Sequence, residues 1–250
     1  VTASIQCLAD EVNREVYGTL TYPDGRAAAG VAIRYCLSGK CSGNNVTTDK
    51  EGNYRIFIPI SESSIWVETK TDDYLLSTSI AISKDSDKSI RKDLKLVYAA
   101  LVLGEVRDAK TGIPIENAEI QISGACGADA KTGKDGMFNV HVLPSDNLDI
   151  EVKKSGYVTY RAGFSAENLD TFGLRIKLKP GGTVKGKLVD ESGNPVSNTK
   201  IEIIEDGMYG RFTKSDSEGR YEFTGVNTDN TSSLYTIIGE SGFSNQEDIK

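Results

Sequence analysis

Histidine is almost missing from this chain: His141 is the only one in 250 residues. A Cys/His zinc site needs several such ligands. The four cysteines, Cys7, Cys36, Cys41 and Cys126, contain no pair at the two-residue spacing that would help supply them. No metal and no cofactor are expected. A general base needs a nucleophile or carboxylate partner within reach. Alternation puts His141 on the wet face of a strand, and no serine or cysteine motif stands out beside it. No catalytic residue and no enzymatic activity are expected. Gly127 to Gly133-Lys134 is one residue too long for a phosphate loop, and Asp135 stands where Ser or Thr belongs.

Long apolar runs are missing as well. None approaches the roughly 20 residues of a membrane-spanning helix, so no membrane span is expected in this chain. Basic excess is missing: 29 Lys and Arg face 36 Asp and Glu, for a net charge of −7, with no block of like charges. A nucleic-acid partner needs clustered cations and is not expected. Helical periodicity is missing after residue 15. Acidic turns such as Asp190-Glu191 and Asp216-Ser217-Glu218 offer oxygen ligands, yet none matches a full calcium loop, and ordinary β-turns use the same residues.

What the chain does have is repetition. Val16-Tyr17-Gly18, Val102-Leu103-Gly104 and Val184-Lys185-Gly186 open three similar phrases. Each is followed by a turn and an aromatic: Gly52-Asn53-Tyr54, Gly136-Met137-Phe138 and Gly219-Arg220-Tyr221. A third landmark closes each phrase: Asp73-Tyr74, Gly156-Tyr157 and Gly242-Phe243. The order is kept at a period of about 84 residues, the mark of tandem units. Within a unit the code is period two. Phe138, Val140 and Val142 alternate with Asn139 and His141, and Leu148, Ile150 and Val152 alternate with Asp149 and Glu151. One face apolar and one face wet is the pattern of packed antiparallel sheets.

The expected fold is all-β: three tandem seven-stranded sandwiches in a rod, the third lacking its last strand. The boundaries read as an N-terminal strand or extension over 1–15, then units 16–98, 99–179 and 180–250. Val1, Ala3, Ile5, Cys7 and Ala9 alternate with Thr2, Ser4 and Gln6, with Leu8 breaking the pattern, and read as a half-buried strand; a helix through Ile5, Leu8, Ala9 and Val12 is the competing reading. Such a strand could fill the open edge of the third unit in another copy, joining copies head to tail. Cys36 and Cys41 flank Leu37-Ser38-Gly39-Lys40, a hairpin tip that a disulfide would close. Cys7 and Cys126 pair with each other or stay free. Phe57 and Trp66 fall on the outward side of the alternation, on strands expected to be adjacent. Such a ring pair suits sugar stacking.

These landmarks resemble the carboxypeptidase regulatory-like domain, a transthyretin-like sandwich of seven strands. The carriers are Val102, Gly104, Gly112, Pro114, Ala118, Gly136, Phe138, Gly156 and Tyr157, with Thr48-Asp49 and Ser215-Asp216 at the matching turns. The resemblance covers nearly the whole chain after residue 15. It implies an Ig-like topology and life outside the cytoplasm, at the cell surface or secreted, and no reaction. The collagen-adhesin B-type repeat shares the topology. Glu68 sits where that family keeps its catalytic acid, but no lysine stands between Val16 and Leu20 to form its isopeptide. The functional expectation is a non-enzymatic structural or adhesive protein, a stalk or filament subunit. Its partners would be copies of itself or other surface proteins. The alternative is a carbohydrate-binding accessory array.

Overall fold

The computed structural model describes residues 13–37, 44–71, 73–82, 89–124, 127–167, 172–205, 209–229, 232–237 and 243–249, with backbone alone for residues 13, 172, 209 and those from 232 onward. Every described element is a β-strand, and the strands form six sheets. Three separate apolar clusters lie between pairs of these sheets.

In the first unit, Asn13–Thr21 runs between Asn53–Pro59, antiparallel, and Ser89–Arg91, parallel. Leu94–Lys95 continues the parallel edge. The facing sheet has the order Asn45–Thr47, Ala32–Leu37, Ser64–Lys70, Tyr74–Ala81, Val97–Tyr98. Val16, Leu20, Ile56 and Ile58 from one sheet meet Ile33, Ile65, Val67 and Ile80 from the other. The opening strand begins at Asn13, before the expected start at Val16. Arg14 is turned inward and 3% exposed, in step with Val16, Gly18 and Leu20. A charge at an inward position hides the period from a reading of the sequence.

The second unit repeats the plan. Ala100–Asp108 lies between Met137–Val142 and Phe172–Leu178. The opposite sheet has the order Ala128–Lys131, Glu119–Ser123, Ser145–Lys153, Tyr160–Ala166. The last of these starts three residues beyond the Gly156-Tyr157 landmark. Tyr157 instead bridges to Pro180. In the third unit Gly182–Lys187 pairs with Arg220–Val226. Lys200–Glu205 is flanked by Tyr209–Lys214 and Ser232–Ile237, with Phe243–Ile249 outside. Among the described residues nothing occupies the other edge of Gly182–Lys187, where the second unit carries Phe172–Leu178.

The repeated landmarks have physical causes. Gly52, Gly136 and Gly219 sit at φ 79°, 77° and 76°, a region that favours glycine. Their carbonyls accept hydrogen bonds from Leu20, Val106 and Leu188 at 2.8, 2.8 and 2.7 Å, stitching the turn to the opening strand. Thr48, Thr132 and Ser215 are buried beside those turns. Thr132 Oγ1 donates to Ile115 O at 2.6 Å and accepts from Ala118 N at 2.8 Å. Thr48 repeats this with Ala28 O and Val31 N, and Ser215 accepts from Thr199 N. Buried polar groups must be paired, and these hydroxyls pair main-chain atoms that the ladders leave over.

Candidate functional site

Phe57 is 60% exposed and Trp66 39% exposed, so both rings point outward as the alternation implies. The expected adjacency is wrong. Residues 60–63 carry the chain from one sheet to the other, so Phe57 lies in the sheet of Asn13–Thr21 and Trp66 in the facing sheet. The two rings leave opposite faces of the sandwich and cannot form one platform. Val1, Ala3, Ile5, Cys7, Ala9, Cys41 and Cys126 lie outside the described residues. Cys36 is buried and disulfide-bonded; its partner lies outside the described residues. Glu68 faces Arg34 across neighbouring strands and forms an ion pair with it on the outer surface.

The acidic turns are structural. Asp49 accepts from Asn53 Nδ2 and from the N–H groups of Asn53 and Glu51, which lowers its pKa. Asp190 and Asp216 are lowered in the same way, first of all by the N–H groups of Asn194 and Arg220. A carboxylate already taken up by amide donors is a poor cation ligand. Among the described residues no group of three or more His, Cys, Asp or Glu comes together to hold a metal ion.

The joints between units are where side chains from distant positions meet. At the first joint the rings of Tyr22 and Tyr74 lie edge to face at 5.0 Å, and those of Tyr74 and Tyr98 lie 5.2 Å apart, tilted by 39°. The Arg26 guanidinium stands 5.2 Å above the Tyr22 ring. Ala99 N donates to Asp73 O at 2.9 Å. An open cavity of about 290 Å³ is lined by Asp73, Tyr74, Tyr98, Ala99 and His141. His141 is half-buried here, not on an open strand face.

The second joint uses the same main-chain frame. Gly181 N donates to Gly156 O at 2.9 Å, as Ala99 does to Asp73. Tyr157 Oη donates to Asp108 Oδ2 at 2.9 Å. Lys179 and Asp229 form an ion pair across the joint. Gly225 is pressed against the Tyr157 carbonyl so closely that any side chain would overlap it. A larger cleft of about 770 Å³ opens between the first two units, with Arg34, Glu68 and Lys70 on one wall and Gln121, Ser123 and Asp129 on the other. In the sequence Tyr74 is one of the repeated landmarks and Tyr98 carries no site signal; the aligned repeats place different residues around the two joints.

The architecture defines a protein of tandem β-sandwich units. Residues 102–179, which make up the second sandwich, match the family model of the carboxypeptidase regulatory-like domain. No curated protein matches the chain in sequence. Among solved structures the chain is similar to the Bacillus anthracis TIE protein, at 15% identity and a TM-score of 0.30, over 95% of this chain and 48% of that one. It thus spans about half the length of that protein. It is also similar to a streptococcal ancillary pilin, at 12% identity and a TM-score of 0.34, over 95% of each chain. The shaft pilin SpaA of Lactobacillus rhamnosus GG is similar at 14% identity and a TM-score of 0.32, over 68% of this chain and 99% of that one.

Proposed function

We propose that the chain is a non-enzymatic structural segment, a stalk or filament element of a surface-displayed or secreted protein. The observation that carries this reading is the stitching of both joints. The short connections at 96–100 and 179–182 are tied by Ala99 N to Asp73 O and by Gly181 N to Gly156 O, so each unit continues the hydrogen bonding of the last. Val97–Tyr98 even adds a strand to the first unit on the way out. A flexible Gly/Ser tether would leave its main chain to water. Joined in this way, the units 16–98, 99–179 and 180–250 act as a spacer of fixed length. Small-angle scattering on the purified chain tests this. A compact globule of this length has a radius of gyration of about 18 Å. The spacer requires a value well above that, and one near it would sink the reading.

Two finer features belong to the same proposal. A Cys36–Cys41 bridge closes the hairpin tip after Ala32–Leu37, and peptide mapping without reduction checks the pairing. The open edge of Gly182–Lys187 takes a strand, with Val184, Leu188 and Tyr221 half-buried beside it. In both other units the strand on this edge runs parallel to the opening strand, so a donor must do the same. Residues 1–10 of a neighbouring copy are the donor proposed. Their deletion abolishes end-to-end assembly if this is right; assembly that survives deletion removes them from the role.

A further inference from the structure

We propose that the joint between the first and second units is a shallow binding site for one pyranose ring of a longer saccharide. The two joints supply the comparison. Tyr74 pairs with Tyr98 as Tyr157 pairs with Pro180, and Ala99 bonds Asp73 as Gly181 bonds Gly156. Counting from the shared glycine and aromatic landmarks, Tyr22 stands where Asp108 stands, and His141 where Thr224 stands. One backbone frame thus carries two sets of side chains. In the second joint Gly181 and Gly225 let the backbones touch, and Asp108 ties down the Tyr157 hydroxyl. In the first joint the same place is an open cavity of about 290 Å³.

Its walls suit a sugar. Tyr98 is 45% exposed and its ring is tilted 39° from that of Tyr74. Tyr22 packs on Tyr74 edge to face. Aromatic faces held in place offer a surface for the C–H face of a pyranose. Asp73 and His141 stand at the rim, and among the described residues neither side chain makes a hydrogen bond. A carboxylate accepts hydroxyl protons, and an imidazole nitrogen donates or accepts. At about 290 Å³ the cavity lies just below the roughly 300–1,000 Å³ range of ligand pockets, which matches one ring and not a buried oligomer. A metal ion is a poor fit, since one carboxylate and one imidazole fall short of a coordination shell.

The test titrates the full chain with neutral oligosaccharides, namely cellotetraose, chitotetraose and mannotetraose, by saturation-transfer NMR and calorimetry. At least one binds in the millimolar range or better. Tyr98→Ala weakens it about tenfold, the loss of one stacking face, and Tyr98→Phe keeps it. Asp73→Asn and His141→Ala also weaken it, while Trp66→Ala leaves it unchanged. Thermal unfolding of each variant shows that the fold is intact, as expected for a residue as exposed as Tyr98. No binding across the panel at millimolar concentration overturns the proposal. So does binding that Tyr98→Ala does not change, or capture of tetramethylammonium at these rings without any saccharide.

Discussion

Gly104 and Phe138 face each other across antiparallel strands, and the phenyl ring fills the space that any side chain at position 104 would need. Gly186 and Tyr221 repeat the pair. In the first unit Gly18 faces Tyr54 and lies against the Lys92 carbonyl, to which Tyr54 Oη donates at 2.5 Å. In the second and third units the glycine of the opening phrase and the aromatic of the turn phrase are therefore one device, the ring covering a strand position left bare; in the first unit the Lys92 carbonyl takes that space and Tyr54 holds it there.

Gly104→Ala should cost about 1–3 kcal/mol, the range for a methyl forced into a packed core. Phe138→Ala should cost about 3–5 kcal/mol by itself. In the double variant most of the cost of Gly104→Ala should be lost, because the ring that opposed it is gone and only the looser approach to the Leu174 carbonyl remains. Denaturant unfolding of the four proteins measures the coupling. Additive costs would mean that the ring and the glycine do not meet.

Thr132 makes a sharper case, since its hydroxyl alone serves both Ala118 N and Ile115 O. Thr132→Val keeps the shape and strands both groups in a buried place. Leaving even one unpaired costs about 1–3 kcal/mol. Thr132→Ser keeps the hydroxyl and should lose far less. Hydrogen exchange at the Ala118 amide reports the change directly: faster in the valine variant, close to normal in the serine variant.

Such devices are visible in a sequence because they are local or periodic. The inward positions Phe138, Val140 and Val142 follow from alternation, and Gly136 from the turn it must make. Alternation states which face of a strand is wet but not which sheet the strand joins. Phe57 and Trp66 are not neighbours for that reason: they are on consecutive strands, yet residues 60–63 cross between sheets. The tyrosines at 22, 74 and 98 meet only because pairing of distant strands brings them to one joint. No spacing within one strand could announce that contact.

Acid should loosen the second joint through Asp108. Thr111 N first, then Tyr157 Oη and Lys110 N, donate to its carboxylate and hold its pKa below the ordinary value, against the opposing effect of burial. A carboxylate with a depressed folded pKa contributes stability above its unfolded value, about 3.9. That contribution is lost as pH falls through the folded pKa. The stability difference between the wild type and Asp108→Asn should therefore be full at neutral pH and shrink only below about pH 4. Denaturation curves at a series of pH values check this. A difference that stays constant down to strong acid would remove Asp108 from the account.

Gly225 tests whether the units are coupled or merely adjacent. It has φ 69°, and a side chain there would run into the Tyr157 carbonyl of the preceding unit. Gly225→Ala thus adds backbone strain of about 1–2 kcal/mol to a collision at the joint. Gly193 separates the two effects: at φ 81° it has open space where a side chain would go. Gly193→Ala should carry the strain alone and leave the joint closed. Gly225→Ala should free the third unit to move against the second, seen as faster reorientation in backbone NMR relaxation and a broader distribution of sizes in scattering. The Lys179–Asp229 ion pair, exposed on both sides, is too weak to hold the joint alone. If Gly225→Ala tumbles as the wild type does, the joint is not what fixes the spacing of the units.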